Sequence, residues 1–535
     1  MATYDLVILG AGSGGYAAAL RGSQLGLKVA LIEKDVLGGT CLHRGCIPTK
    51  ALLHAAEIAD NVRESASFGI KSSLLGVDMP EVNNYKDGVI NRLYKGLQGL
   101  VKHRGVDYIT GEGKFQAPYK VKVGDQVFEG KYVLLATGSF PKSLPGLEID
   151  GQQVITSEQA LKLTSVPSSV VILGGGVIGV EFASVWKSLG SEVTIIEGLP
   201  RLVPAEDEAV SKAMERAFRK RGINFSTGVR FAGVDKTKHG IVAKLEDGQT
   251  FAADLMLVAV GRGSNTRNQG FEEAGLTFEG ELIKVNENLQ TNLNNVYAVG
   301  DIVRGPQLAH KGFQEGIFVA EHIKGLNPKV IDITAIPRVT YSDPEIASVG
   351  LNETAAKEKY GADQIRTFQY DLAGNGKSQI LKTAGFIKLI ALKNGGKVVG
   401  IHMIGARVGE LLAEAQMMYS WEASPEDVAP YLHAHPTMSE AMGEAAMALA
   451  GNGKSQILKT AGFIKLIALK NGGKVVGIHM IGARVGELLA EAQMMYSWEA
   501  SPEDVAPYVH AHPTMSEAMG EAAMALAGKP LHTHD

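Results

Sequence analysis

The sequence predicts an α/β protein with two Rossmann-like dinucleotide-binding domains, followed by an α+β C-terminal domain. A buried strand, a glycine-rich turn, a helix and a second strand ending in an acid occur in that order twice, and this order is typical of a parallel sheet covered by helices. Beyond residue 336 the pattern changes. Two apolar runs, 385–392 and 398–403, flank an Asn-Gly-Gly turn and predict a β-hairpin.

The first unit starts with the apolar run Leu6–Leu9, which is typical of a strand buried on both faces. It leads into a GxGxxG motif formed by Gly10, Gly12 and Gly15, and an alanine-rich helix follows. Glycines at these positions allow a tight turn and close approach of a pyrophosphate to the helix N-terminus. The next strand ends in Glu33, whose carboxylate can accept hydrogen bonds from a ribose diol. A turn that merely packs tightly would explain the glycines but not this acid.

The same order of strand, glycine turn, helix and strand recurs in the second unit. Gly174, Gly176 and Gly179 lie in the turn, and Glu197 ends the second strand. Two such units in one chain predict two dinucleotides. A carboxylate at Glu197 favours the free 2′-hydroxyl of NAD and repels the 2′-phosphate of NADP. Arg201 follows closely and could weaken that preference.

Cys41 and Cys46 are the only two cysteines of the 535 residues, and they follow directly on the first unit. Two thiols form no disulfide framework, and without further ligands at suitable spacing they would leave a zinc ion under-coordinated. A nearby pair can instead cycle between dithiol and disulfide, which requires a thiolate of lowered pKa. Residues 47–53, with Pro48 in the first turn, predict a helix start whose positive end lies near Cys46. The alternative is a pair of ordinary buried thiols.

Composition excludes several classes of protein. The net charge of −4 argues against nucleic acid as the main partner. No apolar run approaches the roughly 20 residues of a membrane span, so no membrane partner is expected. The first strand begins within a few residues of Met1 and leaves no room for a leader, which predicts a cytoplasmic protein.

Four motifs carry a resemblance to a known family, and they stand in its order. They are GGTCLHRGCIPTK at 38–50, with His43-Arg44 where many members have Asn-Val, Ala-Thr-Gly at 136–138, Val-Gly-Asp at 299–301, and HAHPTMSE at 433–440. From Tyr4 to about Gly451 the chain resembles the dihydrolipoamide dehydrogenases of the pyridine nucleotide–disulfide oxidoreductase family. The resemblance implies a flavin domain split by an inserted NAD domain, then a dimerisation domain.

The resemblance also implies roles for individual residues. Cys41 would be the thiol that meets the dithiol substrate, and Cys46 the charge-transfer thiol against the flavin. His435 would be the base, contributed by the partner subunit of a homodimer and oriented by Glu440. The remaining implied positions are Lys50 with Glu181 as a pair beside the flavin; Gly10, Gly12, Gly15, Glu33, Thr40, Lys50, Thr137, Gly138, Gly300 and Asp301 for FAD; and Gly174, Gly176, Gly179, Glu197 and Gly261 for NAD. No metal site is implied.

The implied activity is oxidation of protein-bound dihydrolipoamide by NAD. The implied partners are lipoyl-bearing acyltransferase subunits of 2-oxoacid dehydrogenase complexes or of a glycine cleavage system. Glutathione reductases differ from this chain because they have arginines where Glu197 stands. Mercuric reductases and large thioredoxin reductases differ because they have a C-terminal cysteine pair, which residues 529–535 lack. A related reductase of another small disulfide, or a chiefly structural component docked on an acyltransferase core, remains an alternative.

The C-terminal part contains a near-perfect duplication. Residues 375–451 (copy one) recur as 452–528 (copy two), and the only difference is Leu432 against Val509. Each copy carries a complete histidine motif, so His512 and Glu517 repeat His435 and Glu440. The predicted domains are therefore 1–150 (FAD, first part), 151–275 (NAD), 276–335 (FAD, second part), 336–451 (dimerisation), 452–528 (partial duplicate) and 529–535 (tail).

Loop-closure entropy predicts which copy supplies the base. If copy two replaced copy one in the third domain, copy one would have to be looped out at a cost on the order of 4 kcal/mol. Copy one would then hold the active histidine, and copy two would be a tail that leaves near the subunit interface and could obstruct the dimer.

Overall fold

The fold is described from a computed structural model. It describes residues 2–116, 118–450, 464–469, 473–480, 486–512, 514 and 516–527. In this part of the chain no helix combines the length and the apolar composition needed to cross a bilayer.

The first unit forms a sheet in the order β3-β2-β1-β6-β5-β4. Its strands are β1 (Ala2–Leu9), β2 (Val29–Glu33), β3 (Asp107–Thr110), β4 (Gly113–Gln116), β5 (Lys120–Val123), β6 (Gln126–Leu135) and β7 (Ser139–Pro141), the last outside the sheet; its helices are α1 (Ser13–Gln24), α2 (Gly39–Arg44), α3 (Cys46–Glu64) and α4 (Met79–His103). Strands β3, β2, β1 and β6 run parallel, and Leu6–Leu9 are buried in β1, as the apolar run predicts.

The second unit forms a parallel five-stranded sheet in the order β11-β10-β9-β15-β8, with a separate antiparallel sheet β12-β13-β14. The strands are β8 (Val154–Ile155), β9 (Ser169–Leu173), β10 (Glu192–Glu197), β11 (Asn224–Thr227), β12 (Phe231–Thr237), β13 (Gly240–Leu245), β14 (Thr250–Ala253), β15 (Leu255–Val258) and β16 (Arg262–Ser264); the helices are α5 (Ser157–Ala160), α6 (Val177–Leu189) and α7 (Glu208–Lys220). Strand β16 pairs with β7 and so links the two units.

The chain then returns to the first sheet, so the second unit is inserted between two parts of the first. The elements are β17 (Phe278–Glu279), β18 (Leu282–Ile283), β19 (Val296–Ala298) and α8 (Ala309–Ile323). Strand β19 pairs with β6 in parallel. Helix α8 packs on α1 at glycines: a Cβ at Gly316 would lie 2.2 Å from the carbonyl oxygen of Gly14.

The third unit is an antiparallel sheet in the order β20-β21-β24-β23-β22. Its elements are β20 (Arg338–Thr340), β21 (Glu345–Gly350), α9 (Glu353–Tyr360), β22 (Ile365–Asp371), α10 (Gly376–Leu381), β23 (Phe386–Leu392), β24 (Val398–Gly405), α11 (Leu412–Ser420), α12 (Pro425–Val428) and α13 (Glu440–Ala450). The predicted hairpin is confirmed as β23-β24. Copy one supplies both strands and so completes this sheet, and the predicted α/β fold class is confirmed.

Copy two repeats the same local structure with β25 (Ile464–Ala468), β26 (Val475–Met480), α14 (Leu489–Ser497), α15 (Pro502–Val505) and α16 (Glu517–Leu526). Strand register is preserved, since Leu466 lies opposite Ile478 as Leu389 lies opposite Ile401. Among the described residues, β25 and β26 pair only with each other. Apolar side chains of both copies share one continuous core, so copy two packs back onto the molecule.

Candidate active site

A cavity of about 900 Å³ connects the two glycine turns and passes the cysteine pair. It is lined by many of the residues singled out from the sequence: Gly12, Thr40, Cys41, Cys46, Lys50, Gly138, Gly174, Gly176, Glu181, Glu197, Gly261, Gly300, Asp301 and His512. The other predicted residues do not line it: Gly10, Gly15, Glu33, Thr137, Gly179, His435, Glu440 and Glu517.

The glycines of the first turn serve two purposes. Gly10 has φ +105°, and a Cβ there would lie 2.2 Å from the carbonyl oxygen of Ala136; at Gly15 it would lie 1.8 Å from that of Gly10. These two glycines hold strand, turn and helix together. At Gly12, Gly138, Gly176 and Gly261 a Cβ would meet nothing within 4 Å, so these four leave open space in the cavity where a dinucleotide can approach the backbone. The site fits both nucleotides.

The acid that ends the second strand of each dinucleotide unit also stabilises the glycine turn of that unit by hydrogen bonds. Glu33 accepts hydrogen bonds from the N–H groups of Ala11 (2.7 Å) and Asp35 (2.9 Å). Glu197 accepts them from Gly175 (2.7 Å) and Leu199 (2.8 Å). Burial raises the pKa of Glu33, while the backbone N–H groups oppose that rise. Each acid therefore has a structural role that the ribose interpretation alone did not include.

Arg201 donates from Nη2 to the carbonyl oxygens of Pro204 (3.0 Å) and Glu206 (3.2 Å). Its guanidinium is thus engaged with backbone rather than with Glu197. Arg201 does not line the cavity, whereas Glu197 does.

The second half of the first nucleotide site lies between β19 and α8. The Gly300 N–H donates to Glu315 Oε2 at 2.6 Å, and Lys311 Nζ donates to the Gly300 carbonyl at 2.9 Å. Ser139 Oγ donates to Asp301 Oδ2. The Thr137 hydroxyl is directed away from the cavity, since it donates to the Asn265 carbonyl at 2.7 Å.

Cys46 is the first residue of α3, and Cys41 lies in α2 just before it. The predicted placement of a thiol at a helix N-terminus is therefore confirmed. Both cysteines are free thiols in this structure. A hydrogen bond from Cys41 is the main reason that the pKa of Cys46 falls to about 6; the charges of His512 and Lys50 add to it, while burial opposes it. The same hydrogen bond, together with burial, raises the pKa of Cys41 well above its usual value.

Lys50 and Glu181 form an ion pair on the same wall of the cavity. Lys50 Nζ lies 2.9 Å from both Glu181 oxygens, and Glu181 is 3% exposed. The Tyr341 N–H donates to Glu181 Oε1 at 2.8 Å, and the Lys50 ammonium lies 4.8 Å from the centre of the Tyr341 ring. The carboxylate thus accepts three hydrogen bonds from two donor groups.

His512 of copy two is the histidine that reaches the cysteines. Its Nδ1 lies 2.7 Å from Glu517 Oε1, and its backbone N–H donates to His310 Nδ1 at 3.2 Å. Its ring meets the Phe313 ring edge-on at 5.7 Å. Burial would lower the pKa of His512, but the Glu517 carboxylate and the Cys46 thiolate outweigh burial and raise it.

His435 of copy one does not line this cavity, and its expected role as the base given by a partner subunit stays a prediction. His435 Nδ1 lies 2.7 Å from Glu440 Oε1, and the Thr437 N–H holds the other oxygen at 2.9 Å. Burial raises the pKa of Glu440 to about 7. Copy one completes the third sheet, as the loop-closure argument predicts, while His512 of copy two lines the cavity.

Several residues of the site escaped the sequence argument. His310 and Phe313 of α8 form the seat of His512, and burial lowers the pKa of His310 to about 4. His510 Nε2 lies 2.8 Å from Glu491 Oε1 and anchors the loop before His512, as His433 and Glu414 do in copy one at 2.7 Å. The first histidine of each HxHP motif was the available signal for this anchor. Among the described residues, no cluster of three or more His, Cys, Asp or Glu could hold a metal ion.

Comparison with protein families gives matches over most of the chain. The pyridine nucleotide-disulphide oxidoreductase domain matches residues 4–316. The dimerisation domain of pyridine nucleotide-disulphide oxidoreductases matches twice, at residues 336–446 and 447–523. The second match corresponds closely to copy two.

Curated relatives are similar over nearly their whole length. Dihydrolipoyl dehydrogenase from Bacillus subtilis is 41% identical over 471 residues, covering 84% of this chain and 99% of the relative. Mitochondrial dihydrolipoyl dehydrogenase 2 from Arabidopsis thaliana is 41% identical, covering 83% and 90%. Leghemoglobin reductase from Vigna unguiculata is also 41% identical, covering 83% and 87%.

Solved structures show the same fold. The crystal structure of LpdA from Mycobacterium tuberculosis is 25% identical with a TM-score of 0.78, covering 84% of this chain and all of that one. The HOCl-induced flavoprotein disulfide reductase RclA from Escherichia coli is 26% identical with a TM-score of 0.75, covering 83% and 99%.

Proposed function

Because the chain belongs to the pyridine nucleotide-disulphide oxidoreductase family, we propose that it oxidises protein-bound dihydrolipoamide to lipoamide with NAD as acceptor. One observation carries the proposal: the cysteine pair lies in a single cavity between two dinucleotide turns. FAD and NAD are the cofactors of this family, and the chain carries a turn for each. When bound, they accept the electron pair that the reduced cysteines release.

The polarity of the cysteine pair suggests the order of thiol exchange. In the oxidised enzyme, a substrate thiolate attacks Cys41 Sγ, the Cys41–Cys46 bond breaks, and Cys46 leaves as a thiolate. The lower pKa of Cys46 makes it the better leaving group. The second substrate thiolate then attacks the mixed disulfide, closes the lipoamide ring and expels Cys41. Two electrons pass from substrate to enzyme, and one thiol and one thiolate remain.

His512 is proposed as the base for both substrate thiols. Its Nδ1 is engaged with Glu517, which leaves Nε2 to take a proton from the substrate and return one to Cys41. A nearby carboxylate stabilises the imidazolium, in line with the raised pKa of His512. Glu517 is accordingly a positioning residue, fixed in turn by the Thr514 N–H at 3.0 Å.

Cys41→Ser and Cys46→Ser variants test the proposal. Each should abolish NAD-dependent dihydrolipoamide oxidation, because a hydroxyl cannot form the disulfide. Flavin content and NADH oxidation by an artificial dye should persist, since neither requires the pair. Retained dihydrolipoamide oxidation in either variant would contradict the mechanism.

A substrate panel separates the alternatives. Wild-type protein that reduces another small disulfide with NADPH, but does not oxidise dihydrolipoamide, would be a different reductase of the family. Tight binding to an acyltransferase core without any turnover would indicate a structural component.

Partners, compartment and domain limits are proposed on the same basis. Lipoyl-bearing acyltransferase subunits of 2-oxoacid dehydrogenase complexes are the proposed partners, and the proposed compartment is the cytoplasm. The domain limits given from the sequence are retained. The dimerisation-domain matches support association of this domain with a second copy of itself, and the chain carries two such matches.

A further inference from the structure

We propose that copy two acts as an internal partner: the chain builds a two-fold interface between its own two copies and completes its one active site without a second chain. The role of the base rests on the proposed function. The interface itself rests on contacts that are independent of it.

Equivalent residues of the two copies meet each other. The rings of Trp421 and Trp498, which hold the same position in the two copies, lie 4.4 Å apart. Trp498 Nε1 donates to the Tyr431 hydroxyl at 2.8 Å. In the reciprocal contact, the rings of Trp421 and Tyr508 meet edge-on, with their centres 6.1 Å apart. When residue i of one copy contacts j of the other and j contacts i in return, the interface is isologous, as in a two-fold dimer.

The interface has a buried apolar centre. Met417 and Met418 of α11 are 2% and 0% exposed, and Met494 and Met495 of α14 show the same values. All four belong to one continuous core. The Glu487 carboxylate of copy two adds hydrogen bonds from the backbone N–H groups of Met438 (2.7 Å) and Ser439 (3.1 Å) in copy one.

Copy two also contacts the flavin-binding part of the same chain. His512 is seated on His310 and Phe313, Met524 packs against the core beside β1 and α1, and the Lys329 ammonium lies 5.3 Å from the centre of the Tyr508 ring. The one position where the copies differ has different surroundings in each. Leu432 of copy one is 85% exposed, whereas Val509 of copy two is 8% exposed. The copies therefore have different surroundings, and only copy two faces the cysteines.

Covalent linkage favours this contact within one chain over the same contact with a second chain. A segment that is covalently tethered to the surface it fits is present there at a high effective concentration, on the order of millimolar. A second chain at micromolar concentration competes poorly with it. Because copy two already covers Trp421 and its neighbours, a second chain cannot use this surface at the same time.

His512→Gln and His435→Gln form a matched pair, since they make the same change at equivalent positions. His512→Gln should lower kcat for dihydrolipoamide oxidation by about 10²- to 10⁴-fold, the usual range for a general base. His435→Gln should stay within about twofold, as expected for a substitution away from the site. The mass in solution should be that of one chain, 56.8 kDa, and specific activity should not fall on dilution to nanomolar protein.

Co-expression of Cys46→Ser and His512→Gln chains tests cis completion directly. If the base comes from the same chain, neither chain has a whole site and the mixture stays inactive. If the base crosses between chains, random pairing restores about a quarter of wild-type activity. Restoration, a particle of twice the mass, or loss of activity in His435→Gln but not in His512→Gln overturns the inference. Wild-type protein without dihydrolipoamide oxidation overturns the proposed function instead, and the mass still tests the interface.

Discussion

Replacing Cys41 with Ala should raise the pKa of Cys46 by removing the largest influence that lowers it, the hydrogen bond between the two sulfurs. A hydrogen bond to a charged group contributes roughly 1.5–3 kcal/mol. At about 1.4 kcal/mol per pKa unit, its loss corresponds to a rise of about one to two units. The pKa should therefore move from about 6 to about 7–8, still below the free thiol because Lys50 and His512 remain.

Alkylation kinetics measure this shift. The protein is reduced without oxygen and treated with iodoacetamide between about pH 5 and pH 9, and mass spectrometry follows the peptide that contains Cys46. Only the thiolate reacts, so the rate rises with pH through the pKa. In wild type the midpoint should lie near 6, and Cys41 should react slowly near neutral pH because its pKa is raised.

Cys46→Ser is the control that identifies the labelled position, since its peptide should take up no label. A wild-type midpoint near the value of a free thiol would refute the reasoning. A midpoint that stays in place in Cys41→Ala would show that the helix N-terminus and the two cations suffice without the sulfur hydrogen bond.

Two further predictions use the same cavity. Lys50→Met should raise the Cys46 midpoint in the alkylation assay and Glu181→Gln should lower it, because the ammonium lowers the pKa of Cys46 and the carboxylate raises it; shifts of the same sign would contradict this account. Glu197→Gln should narrow the preference for NAD over NADP, measured as the ratio of kcat/KM values, because the 2′-phosphate no longer meets a carboxylate. A wild type that already prefers NADP would show that Glu197 does not select the cofactor.

Local sequence was enough to predict the parts of the site that lie within one strand–turn–helix unit. The glycine turns, the terminal acids and Cys46 at a helix start all follow from the order of residues along a short segment. The hydrogen bonds from Ala11 to Glu33 and from Gly175 to Glu197 were not foreseen. They depend on how far each turn folds back, which the motif alone does not state.

Long-range placement could be predicted only where the resemblance supplied it. Lys50 and Glu181 meet across two units, and no local pattern connects them. The seat of His512 on His310 and Phe313 could not be foreseen, because it depends on where copy two packs. A closure-entropy argument compares chain lengths. It places copy one in the third sheet, but it gives no information about the surface on which copy two packs.

The Trp421–Tyr508 and Trp498–Tyr431 contacts have a consequence for how this interface can change. In a homodimer one substitution alters both halves of the interface at once. A larger side chain on one side therefore cannot be compensated by a smaller side chain at the equivalent position on the other. Here the two halves are separate stretches of one chain. Leu432 and Val509 already differ, one in solvent and one buried. Each side can therefore adapt to its own surroundings, and the former symmetry no longer constrains either.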